Sequence, residues 1–133
     1  GAVKVIYDQK GNSDFNNYSI VGRLSYGIFS MMFTGDAEKE EEASILADRE
    51  SLKSDVLKVG HHGSRTSTSP DFLRAVSPKE AFISCGLNND YGHPHKTTVA
   101  KLEKAKVHIY RTDRDGTLTL TTTGDSYKIT KER

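Results

Sequence analysis

The sequence has a single cysteine, no tryptophan and no long apolar run. One thiol excludes a disulfide framework within the chain. Cys85 lies in the run Ala81-Phe82-Ile83-Ser84-Cys85, where a small buried hydrophobe is a better reading than a nucleophile. No stretch approaches the roughly 20 apolar residues of a bilayer-spanning helix, and no signal-peptide pattern opens the chain. An excess of one charge is also missing. Nineteen basic against eighteen acidic residues leave +1, which excludes the overall positive field of a nonspecific nucleic-acid binder and confines any such contact to a local patch. Repeats, low-complexity tracts and linkers are absent, so residues 1–133 read as one domain able to bury roughly two thirds of its unfolded surface. The start at Gly1-Ala2, leading at once into the strand-like run from Val3 to Tyr7, suggests a processed or trimmed piece of a longer polypeptide.

Strand and helix signals alternate along most of the chain. Turn formers from Gly11 to Asn17 predict a loop, followed by a hairpin of Ser19–Tyr26 and Ile28–Phe33 turning at Gly27. Residues 37–46 read as a helix with Asp36 as a possible N-cap and its acidic run on a solvated face. Asp55–Gly60 is a short apolar strand, and the hydroxyl-rich run Thr66–Ser69 before Pro70 starts a helix ending near Val76. Glu80–Cys85, a helix over Lys96–Lys106 and a strand over Val107–Tyr110 continue the alternation, and Thr117–Thr122 with Tyr127–Thr130 form a hairpin turned at Gly124-Asp125. The fold class is therefore α/β with a mixed sheet, about three helices and a C-terminal hairpin.

Histidine is the residue type with chemistry to explain. Four of the five histidines occupy two clusters, His61-His62 and His93-Pro94-His95, each just past a strand-like run, as does Asp36. Open α/β sheets place ligands at such ends. Imidazole and carboxylate suit zinc or another divalent ion that activates water. For Asp36 alone, the helix cap is the stronger competing reading. Neighbouring strand residues point to opposite faces, so His61 and His62 are expected to divide into one ligand and one orienting partner, with a lean to His62. His93, fixed by the following proline, is a better candidate than His95, which opens a helix. Ser64, Thr66 and Ser67 could bond a phosphate, or simply form a turn and cap. His108 reads as structural, and Arg111 as part of a charged turn.

In order and spacing, Phe33-Thr34-Gly35-Asp36, Asp55 through Ser67 with its Gly60-His61-His62-Gly63-Ser64 core, Asn89-Asp90-Tyr91-Gly92-His93-Pro94 and Val107 through Gly116 resemble the metallo-β-lactamase-like domain of ComEC-type competence proteins. The resemblance implies the C-terminal half of an αββα sandwich, a two-zinc centre with manganese as an alternative ion, and nuclease or phosphodiesterase chemistry on DNA during uptake. It implies metal contacts from Asp36, His61 or His62, and His93, catalytic roles for Asp36, His62 and His93, and substrate contacts from Ser64, Thr66, Ser67 and His95.

The family's first motif, His-any-His-any-Asp-His, occurs nowhere, and no histidine precedes His61. The chain by itself is therefore expected to bind zinc weakly and to lack robust hydrolysis. Its expected partners are DNA, the rest of the same polypeptide with a membrane channel, and a second copy over an exposed sheet face. The parent is expected to be membrane-anchored with this domain extracytoplasmic, the cytoplasmic side being the alternative. Two other readings stand beside this one: a fragment of another phosphodiesterase of the superfamily, such as a phosphorylcholine esterase, and a noncatalytic binding or scaffold module.

Overall fold

The computed structural model describes the backbone of residues 2–5 and residues 19–48 and 51–133 in full. The expected loop over residues 11–17 and the end of the first expected strand lie outside the described residues. Strands β1 (Ala2–Val5), β2 (Gly22–Tyr26) and β3 (Phe29–Phe33) pair antiparallel. Strands β4 (Val56–Lys58), β5 (Glu80–Ile83) and β6 (His108–Arg111) then add in chain order, each parallel to the strand before it.

Helices α1 (Lys39–Ala47), α2 (Pro70–Val76) and α3 (Lys96–Lys104) make the crossovers. Parallel crossovers are right-handed, and three successive steps in one direction along a sheet put all three helices on the same face. The core agrees. Met32, Leu57, Ala81 and Ile83 pack with Ile45, Phe72, Leu73, Val76 and Leu102. Their alternates Phe29, Met31, Val56 and Phe82 point the other way, because successive strand side chains change face. There they meet Leu118, Leu120, Tyr127 and Ile129 of the hairpin β7 (Leu118–Thr122) and β8 (Tyr127–Lys131). A short helix, α4 (Thr112–Asp115), links β6 to it. The Ile28 N–H donates to Gly124 O at 2.8 Å, tying the hairpin turn to the β2–β3 turn. The sheet face expected to await a second copy is thus covered by the chain's own hairpin over β3 to β5.

Two local expectations fail. Asp36 does not cap α1: the cap position is Glu38, which makes no side-chain cap bond, because the turn closed by Ala37 N–H to Thr34 O delays the helix to Lys39. The acidic run is not wholly solvated either. Glu41 and Glu42 are 3% and 1% exposed. The Glu42 carboxylate accepts the Thr68 and Ser69 N–H groups at 2.6 and 2.8 Å, satisfying donors left free at the start of α2. Both Glu41 oxygens are buried without a hydrogen-bond partner among the described residues, and burial, with Glu42 adding to it, pushes its pKa up to about 7. The start of α2 is as expected, with Ser69 Oγ accepting the Phe72 N–H and Pro70 in the first turn.

Candidate functional site

Because β3, β4, β5 and β6 run parallel, the loops after them open on one rim of the sheet. The loop after β3 carries Asp36, held by its N–H to Ser19 Oγ at 3.1 Å. Thr34 Oγ1 donates to Lys58 O at 2.8 Å, and His61 N–H donates to Gly35 O at 2.9 Å, stitching this loop to the next.

The adjacent histidines do not divide as strand alternation predicts. Pairing ends at Lys58, and His61 and His62 both take left-handed backbone, φ 49° and 55°, inside the tight 3-10 turn Gly60–Gly63. Freed from the pleat, both rings turn toward the second cluster: the His93 ring centroid lies 5.8 Å from His61 and 6.2 Å from His62. Burial, reinforced by the neighbouring imidazoles and opposed by Asp36, holds the His93 pKa below the ordinary histidine value.

His62 has the most informative geometry. Its Nδ1 lies 2.8 Å from Ser84 O, and a carbonyl can only accept, so Nδ1 carries a proton and, in the neutral ring, Nε2 presents a lone pair. That lone pair faces Asp36 Oδ1 at 3.9 Å, too far for a hydrogen bond, with both side chains about half exposed. Two electron-pair donors held face to face leave a place for a cation between them. A backbone carbonyl on the far nitrogen is also the usual way a metal-binding imidazole is oriented. The donor set stops at two: among the described residues no group of three or more His, Cys, Asp or Glu side chains is arranged to hold a metal ion.

The second histidine loop is braced by residues that motif reasoning passed over. Asn89 Oδ1 accepts the Tyr91 and His93 N–H groups at 3.1 and 2.9 Å, and its Nδ2 donates to Gly86 O and His93 O at 2.9 and 2.6 Å. His95 Nδ1 accepts the Arg65 N–H at 2.8 Å, joining the two loops, and Nε2 donates to Tyr91 O at 3.2 Å within its own loop, so both of its nitrogens are used. The two loops also touch at Gly63, with φ +82°, where a Cβ would lie 2.6 Å from Pro94 Cβ. His62, Cys85, Gly86, Asn89, Tyr91 and His93 line a cleft of about 180 Å³.

The hydroxyl run lies largely beneath this surface. Ser67 is fully buried and donates to Ala37 O, and Ser64, also buried, is bonded to Thr66 Oγ1 at 2.9 Å. Thr66 Oγ1 in turn lies 3.5 Å from His61 Nδ1. Lys58, to which the sequence pattern gives no role, lies near this rim, with burial lowering its pKa and Asp36 opposing that shift. Cys85 is half-buried, its thiol pushed up by burial and then by Asp113, as befits a packing residue. Arg111 is engaged by both carboxylate oxygens of Asp113 at 3.0 and 2.7 Å rather than free for a phosphate, and exposed His108 lies 3.5 Å from Glu80 Oε2.

No family model matches the chain. It is 44% identical over 103 residues to ComE operon protein 3 of Bacillus subtilis (strain 168), a match covering 77% of this chain and 13% of that protein. Competence protein ComA of Neisseria gonorrhoeae is 38% identical over 111 residues, 83% of this chain and 16% of its own length. Recombination protein 2 of Haemophilus influenzae is 38% identical over 118 residues, 89% and 15% respectively. The chain thus spans only 13 to 16% of the length of these relatives.

Proposed function

This chain is homologous to a segment of the ComEC-type competence proteins, and from that footing we propose that it is part of a metal-dependent phosphodiesterase domain acting on DNA during uptake. The observation that carries the reading is the pair His62 Nε2 and Asp36 Oδ1, facing at 3.9 Å with the His62 tautomer set by Ser84 O. Asp36 and His62 would hold a divalent ion, zinc or alternatively manganese, with His61 and His93 beside it and further ligands drawn from outside the described residues. When bound, such an ion makes hydroxide available near neutral pH and stabilises the oxygens of a phosphodiester. His93, at the cleft wall, accepts or relays a proton, while His95 and Asn89 fix the loop that carries it. The remainder of the polypeptide, including a membrane channel, is the partner this role requires, with the domain on the extracytoplasmic side.

A scaffold role, with histidines that only orient loops, accounts for His95 and would reduce the His62–Asp36 contact to an exposed ion pair, which binds no zinc. In the whole protein, Asp36→Ala is expected to abolish metal-dependent cleavage of DNA and to weaken zinc binding by calorimetry, with the circular dichroism spectrum unchanged. Cleavage that survives the substitution refutes the assignment.

A further inference from the structure

The cleft wall ends in a tyrosine that the phosphodiesterase reading leaves unused. Tyr91 is 77% exposed, and Leu87 on the same loop is 69% exposed. Their loop is pinned by four hydrogen bonds to the Asn89 side chain, two donated and two accepted by it, and by one from His95 to Tyr91 O. One face of the Tyr91 ring stacks on His93, centroids 5.6 Å apart and planes 20° from parallel. The other face opens to solvent at the mouth of the cleft that His62 and His93 line. A flat ring fixed in one orientation beside a phosphate-cleaving site costs little further ordering when a second flat ring lies on it.

Resting on the function proposed above, we infer that Tyr91 is a stacking platform for one unpaired nucleobase, which seats the adjoining phosphodiester against His62 and His93. Every base has a π-face, so the contact tolerates sequence but requires a base that is out of the duplex. The site would therefore favour single-stranded DNA or a frayed end over intact duplex.

The test uses the whole protein and short single-stranded oligonucleotides carrying 2-aminopurine, with an otherwise identical oligonucleotide abasic at that position. Quenching of the 2-aminopurine on binding is expected in the wild type and in Tyr91→Phe. Tyr91→Ala should lose the quench and bind the base-bearing strand about 5- to 150-fold more weakly, the range for one lost stacking contact. Its affinity for the abasic strand should not change. Unchanged affinity for the base-bearing strand, or an equal loss for both strands, overturns the inference, as does failure of the wild type to bind either. Quenching without cleavage in the presence of zinc or manganese would retain the platform and refute the phosphodiesterase. Cleavage of both strands at rates that Tyr91→Ala leaves equal would do the reverse.

Discussion

Replacing Glu41 by glutamine should make the protein more stable at neutral and alkaline pH while leaving it nearly unchanged in acid. Glu41 is buried, both of its oxygens lack partners among the described residues, and its pKa stands at about 7 instead of 4.5. That difference corresponds to about 3 kcal/mol of preference for the protonated form, an upper value because any water reaching the carboxylate relieves part of it. Below pH 4.5 both folded and unfolded chains hold the proton, and stability is unaffected. Between 4.5 and 7 the unfolded chain releases a proton that the folded chain keeps, so stability falls as the pH rises. Above about 7 the folded protein carries the buried charge and bears the full cost. Glutamine copies the shape and never ionises. Urea unfolding followed by circular dichroism from pH 4.5 to 8.5 should therefore show two curves that coincide in acid and separate through neutrality. By pH 8 the gap should reach up to about 3 kcal/mol, roughly 10 °C in Tm for a chain of this size. A gap independent of pH, or a variant less stable than wild type at pH 8, would refute the reasoning. Glu42, whose carboxylate holds two backbone N–H groups, is the wrong residue for such a gain.

The joint between the histidine loops gives a matched pair of substitutions. Gly63→Ala adds a Cβ 2.6 Å from Pro94 to a backbone at positive φ and should cost about 2 to 4 kcal/mol in thermal unfolding. Gly92→Ala, also at positive φ but with nothing within 4 Å, should cost only about 1 kcal/mol, and equal losses for the two would contradict the contact. Asn89→Ala removes four hydrogen bonds within one loop, so amide exchange at Tyr91 and His93 should quicken by roughly tenfold or more while exchange in β4 and β5 stays as it was.

Alternation of strand and helix, the Ser69-Pro70 start of α2 and the C-terminal hairpin were legible because each rests on neighbours in sequence. So was the convergence of Asp36 and the histidines on strand ends. What escaped depends on contacts between distant segments or on where an element stops. Alternation misled at His61-His62 because β4 closes at Lys58, and two consecutive left-handed residues override the pleat. Asp36 is a residue type favoured as a cap, but a turn displaces the start of α1 by two residues and leaves its carboxylate out of the cap. No local pattern distinguishes Glu42 from its acidic neighbours; the donors it satisfies are 26 and 27 residues away. Asn89 looked like one more turn former in a loop rich in them, and only the positions of Gly86, Tyr91 and His93 reveal its bracing role.

The parallel run from β3 to β6 separates the molecule into two ends, which bears on how it can be instrumented. Every candidate site residue lies at the rim where these strands finish, and so does Cys85, the natural attachment point for a thiol label. A dye there would occupy the cleft it was meant to watch. The opposite rim, where exposed Ser77 and Lys106 lead into β5 and β6, offers positions for a new cysteine or a surface tether once Cys85 is replaced by alanine. Immobilised from that side, the protein would present its histidine loops outward, open to the solution.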